Sequence, residues 1–92
     1  MVATKLVEKE SIDREQFLNA GLDDSSRNEI NKKLFDAMML GNGHHHKVNI
    51  EFQTEEGQKS VFTTVWATTD NYIILKGGIY IPINSLLSVH LD

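Results

Sequence analysis

The sequence predicts an α+β domain in which two N-terminal helices precede five short antiparallel strands closed into a small barrel. Two observations carry that expectation. The apolar residues recur with a helical period up to about Leu40 and then, from Lys47, alternate with a period of two. Capping residues and glycines divide the first half, whereas Gly, Asn and a single Pro divide the second into runs of four to ten residues. With 92 residues, 40% of them hydrophobic, the chain has material for one domain and one modest core. The expected organisation is a single domain over 1–92, with a flexible arm at 1–11, a helical part at 13–41 and a barrel part at 47–92.

Residues 1–11 carry mixed charge with Leu6 and Val7 as their only bulky apolar pair, which suits a lead-in. Asp13 and Gln16 then have capping-box spacing, and Ile12 and Phe17 occupy the two positions of a hydrophobic staple. A short helix from Arg14 to Asn19 or Ala20 is expected, ended by Gly21. Asp23, Asp24, Ser25 and Ser26 offer N-caps for a second helix, with Ser26 and Glu29 as another capping-box pair. Ile30, Leu34, Ala37 and Met38 form its apolar stripe, widened by Phe35 and Leu40, and Gly41-Asn42-Gly43 is expected to end it.

Val48, Ile50 and Phe52 alternate with polar residues and mark the first strand. A polar turn at 54–58 leads to a second, long strand over 59–68, apolar on both faces as a strand bending around a barrel would be. Tyr72–Lys76 and Ile79–Ile81 form a hairpin about Gly77-Gly78, Pro82 stops the ladder, Ile83–Leu87 suits one helical turn, and Ser88–Leu91 closes as strand five.

The stretch from Tyr72 through Gly77-Gly78, Ile79-Tyr80-Ile81-Pro82-Ile83 and Leu86 to Leu91 resembles SH3-like or Sm-like small barrels, including the bacterial Rho-binding antiterminator proteins, in which a helix precedes such a barrel. The resemblance implies the barrel fold and, through its Sm-like members, RNA as an alternative ligand. The chain has neither the cysteine-containing segment nor the acidic opening of the antiterminators, and no functional residue carries over from them. The whole chain also looks like a group of short bacterial proteins, a likeness that supplies no function.

Composition narrows the chemistry. No cysteine is present, so thiolate metal sites, disulfides and cysteine nucleophiles are absent. No segment has the apolar length of a membrane span or a signal-peptide core, which points to a cytoplasmic protein without a membrane partner. Thirteen acidic residues against nine basic ones give a net charge of −4, a poor balance for neutralising phosphates, so RNA is disfavoured on charge.

His44-His45-His46 offers three imidazoles to Zn²⁺, Ni²⁺ or Cu²⁺, but adjacent side chains diverge where helical i, i+4 ligands converge. The run reads first as a solvated connection. Serine, histidine and aspartate are all present without a G-x-S-x-G elbow, and His90 reads as a hydrogen-bonded structural imidazole. Trp66, Tyr72 and Tyr80 are the candidate binding residues, although in a small barrel Trp66 reads first as core. No cofactor is expected. The expected function is a non-catalytic protein-interaction module with an unknown protein partner. The alternatives are an Sm-like RNA-binding module and a metal-dependent or hydrolytic enzyme built on His44–His46. A homodimer through an edge strand or through Met38 and Met39 is compatible with the same sequence.

Overall fold

Asp23 starts the long helix: its carboxylate accepts the Ser26 amide proton at 2.8 Å, satisfying a donor that the first turn leaves free. Helix α1 then runs over Asp24–His44 in the computed structural model, which describes residues 4–91. Its inward face is Ile30, Leu34, Ala37 and Gly41. Phe35, expected to widen that stripe, is exposed.

The described residues hold seven strands where five were expected: β1 Lys5–Leu6, β2 Val48–Thr54, β3 Gly57–Thr63, β4 Val65–Thr68, β5 Tyr72–Leu75, β6 Ile79–Pro82 and β7 Leu86–His90. They form two sheets, a four-stranded one in the order β1-β3-β2-β7 and a three-stranded one in the order β4-β5-β6. All neighbours are antiparallel except β1, which runs parallel to β3. The inner faces of both sheets and of α1 share one core, in which Ile12, Leu34, Ile50, Phe52, Ile73, Leu75 and Ile81 are fully buried.

This corrects the expected fold class in two respects: there are not two N-terminal helices, and the strands do not close into a five-stranded SH3-like or Sm-like barrel. Where the first helix was expected, a 3-10 helix spans Lys9–Arg14 and the backbone is extended from Glu15. Long-range contacts override the capping-box spacing there. Ile12 is buried in the core, Phe17 makes a β-bridge to Thr54 and packs its ring 5.7 Å from that of Phe52, and the Leu18 amide donates to the Gln53 carbonyl. The Lys59 ammonium lies 2.6 Å from the Glu15 carboxylate, with both side chains almost wholly buried. A helix at 14–20 would surrender the contacts of Glu15, Phe17 and Leu18, and the few tenths of a kilocalorie per residue that separate helix propensities do not compensate.

The expected barrel opens because the long second strand breaks. Thr64 separates β3 from β4, and the Thr64 carbonyl accepts from the Lys76 amide, so the chain passes from one sheet to the other at that residue. The ladder of β7 joins β2, and β6 pairs only with β5. The expected arm over 1–11 contributes β1, with Leu6 beside Ser60; residues 1–3 lie outside the described part.

The helix also passes through its expected stop. Gly41 is helical and buried where α1 crosses β4, and a Cβ there would sit 2.4 Å from the Val65 carbonyl oxygen and 2.8 Å from Thr64 Cγ2. Glycine serves close approach at this position, not termination. Four residues later His45 takes the left-handed conformation (φ 53°) and its amide donates to the Gly41 carbonyl, which ends α1.

Candidate functional site

The outer face of the three-stranded sheet is built from alternation. Ile73, Leu75 and Ile81 point into the core, so Tyr72, Ile74 and Tyr80 point away from it. The register sets Ile74 opposite Tyr80 and Tyr72 opposite Pro82. The diagonal pair Tyr72 and Tyr80 meet with ring centroids 6.0 Å apart and planes tilted by 60°, a favourable edge-on geometry. On the neighbouring strand the register shifts between Val65 and Ala67, making Trp66 the extra residue of a bulge. Bulges re-aim side chains, and this one turns Trp66 outward.

All three candidate aromatics are therefore on the surface, Trp66 at 46%, Tyr72 at 45% and Tyr80 at 55% exposure, and the expectation that Trp66 belongs to the core is overturned. A concavity of about 400 Å³ borders the face at Tyr72 and Pro82. Arg27 and Asn31 of α1 line it together with Asp70, Asn71 and Asn84. Arg27 and Asp70 form no ion pair, and the three carboxamides donate and accept no side-chain hydrogen bond among the described residues, so their polar capacity is free for another molecule.

The four-stranded sheet has a different outer face. Glu51 on β2 faces Ser88 and His90 on β7. Ser88 Oγ donates to Glu51 Oε1 at 2.6 Å, His90 Nε2 lies 3.0 Å from the same oxygen and 3.2 Å from Ser88 Oγ, and Thr4 Oγ1 donates to Oε2 at 3.2 Å. The Ser88 hydrogen bond, then that of His90, holds the Glu51 carboxyl below its ordinary value of 4.5. The grouping of Ser, His and Glu has the composition of a hydrolytic triad without its wiring. A relay needs opposite ring nitrogens toward serine and acid, whereas here Nε2 faces both and the serine proton already goes to the carboxylate. The cluster ties β2 to β7. Sequence reasoning found His90 but not its partners, which lie 39 and 2 residues away.

The histidine run is split by the end of α1. His44 is the last helical residue and exposed, His45 is the left-handed cap, and His46 Nε2 donates to the Leu91 carbonyl at 2.6 Å, fastening the helix exit to the end of the chain. The three imidazoles thus occupy three different environments, and among the described residues no group of three His, Asp or Glu side chains is placed to hold a metal ion.

Met39 on the outer side of α1 is exposed beside Phe35, one turn away, while Met38 is half-buried. No helix of the described residues is long and apolar enough to cross a membrane. Compared with protein-family models, curated proteins and solved structures, the chain matches none of them, so its own surfaces carry the functional argument.

Proposed function

We propose that this chain is a non-catalytic interaction module that docks a protein partner on the outer face of its three-stranded sheet. The observation that carries the reading is the exposure of Trp66, Tyr72 and Tyr80 on adjacent strands of one small sheet, around Ile74. Trp and Tyr dominate the energetically decisive positions of protein interfaces because each offers a large apolar area with few rotamers to freeze and a polar atom at its edge.

Size sharpens the reading. Three strands spaced about 4.8 Å apart and four residues long at about 3.3 Å per residue present roughly 200 Å² of flat area. A stable protein interface covers about 800 Å² on each partner. The partner therefore reaches beyond the aromatics onto the polar concavity of Arg27, Asn31, Asn71 and Asn84, which supplies the hydrogen-bonding rim that apolar interface centres have. The net charge of −4 favours a protein over a nucleic acid on this face.

The test is affinity purification of the tagged chain from its native cells with and without nuclease, followed by reconstitution with the recovered protein. A nuclease-resistant partner whose affinity falls at least about tenfold in Trp66→Ala and in Tyr80→Ala, with circular dichroism unchanged, is the expected result. Recovery abolished by nuclease would replace the protein partner with RNA. A doubling of mass in sedimentation that Trp66→Ala removes would put a second copy of the chain on the face.

A further inference from the structure

We propose that a second surface of the molecule binds a small organic anion, a phosphate or carboxylate carried on an apolar body. Lys9 at the start of the 3-10 helix, Lys47 in the connection between α1 and β2, and Lys76 in the turn after β5 line one concavity of about 510 Å³. That size is within the range of small-molecule sites. None of Trp66, Tyr72 and Tyr80 lines it. Three of the nine cations of an acidic chain thus converge from segments far apart in sequence.

Among the described residues their ammonium groups have no carboxylate partner. The ion pairs among the described residues belong to Lys59 and His90, and although Glu8 and Glu10 border the concavity, neither lies within 4.0 Å of a lysine nitrogen. Packing positions the lysines instead. Lys47 Nζ sits 5.9 Å from the centre of the Phe62 ring, in cation–π range, and Lys9 Cε lies 3.9 Å from where a Cβ on Gly77 would be, which sets its stem against the turn that carries Lys76. With Glu8 and Glu10 at the border but out of ion-pair contact, the three lysines keep an excess of positive charge at one opening, and a bound anion offsets it.

The rest of the lining defines what the anion is attached to. Phe62 is 53% exposed and Leu6 66% exposed, an aromatic ring and a branched chain left on the surface at the same opening. Inorganic phosphate would satisfy the lysines and leave this apolar wall wet. A ligand with an aryl or alkyl group next to its charge covers both, and burying a phenyl-sized group is worth at least about tenfold in affinity. A free metabolite-sized anion and the headgroup region of an anionic lipid share this chemistry.

The decisive experiment follows the amide resonances of the full chain during titration with phenyl phosphate and, separately, with inorganic phosphate. Shifts confined to residues 6–10, 47, 62–63 and 76–78 are expected, with phenyl phosphate binding at least about tenfold more tightly than phosphate. The triple variant Lys9→Gln, Lys47→Gln, Lys76→Gln should weaken phenyl phosphate at least about tenfold, and Phe62→Ala should abolish its advantage over phosphate. The double variant Lys32→Gln, Lys33→Gln on the exposed side of α1 is the control for unspecific attraction and should bind normally. Sedimentation with phosphatidylglycerol vesicles, lost in the triple variant, would assign the anion to a lipid. Absence of saturation by both phenyl phosphate and vesicles, shifts spread over all lysines, or an equal loss in the control variant would overturn the proposal.

Discussion

The two sheets share a core but treat their outer faces in opposite ways. On the four-stranded sheet, Glu51, Ser88, His90 and Thr4 are spent on one another in a closed set of hydrogen bonds. On the three-stranded sheet, Trp66, Tyr72, Ile74 and Tyr80 are left with only their strand neighbours, and the polar side chains lining the concavity beside them have no ion pair or side-chain hydrogen bond among the described residues. Polar groups already satisfied within the chain stabilise it and have little left for a partner. Exposed aromatics contribute little to stability and retain their binding capacity. Function is accordingly sought on the second face, despite the suggestive residue types of the first.

Substitutions separate the two kinds of face by their effects. The largest loss of stability is expected from the four-stranded side: Lys59→Met leaves the Glu15 carboxylate buried without its cation, and chemical denaturation should register a loss of about 3 kcal/mol. The Glu15 hydrogen bond raises the Lys59 pKa above its ordinary 10.5. Its stabilisation is therefore complete below pH 10.5 and disappears as pH rises through the folded value, so the wild type alone should lose this increment at the alkaline end.

The three-stranded side depends on close packing instead. Gly41→Ala forces a methyl group against the β4 backbone and should cost about 2 kcal/mol in the same measurement, with no dependence on pH. Glu51→Gln is expected to cost less than about 1 kcal/mol near neutral pH. Because the folded Glu51 carboxyl titrates below 4.5, its contribution is complete above that pH and is lost as pH falls through the folded value. The variant should therefore show a shallower acid limb, and an unchanged limb would break the claim that this face is structural. Smallest of all in stability, Tyr80→Ala should change unfolding by no more than about 1 kcal/mol, the worth of its contact with Tyr72, while abolishing partner binding. A large destabilisation there would erase the distinction between the faces.

The sequence exposed more of the elements than of their assembly. The strands about Val48–Phe52, Tyr72–Leu75 and Ile79–Ile81 and the helix through Ile30, Leu34 and Ala37 were legible because their burial follows a local period. Trp66, Tyr72 and Tyr80 were identifiable as candidates for binding by type, but the exposure of Trp66 depends on a bulge that only its pairing with β5 creates. The meeting of Lys9, Lys47 and Lys76 had no local signal at all.

By itself the sequence determined the α+β composition, the positions of most turns, the absence of thiol chemistry and the supply of aromatics. The tertiary structure decided whether the capping signals at Asp13–Phe17 and the glycines at 41–43 were obeyed, and it obeyed neither. In the first, a buried ion pair and the Phe17 contact outweigh a marginal helix; in the second, a helix pressed onto β4 needs the missing side chain of Gly41. Capping and propensity act at about 1 kcal/mol or less per residue, while core contacts and steric exclusion act at several, so where the two disagree the long-range terms set the fold.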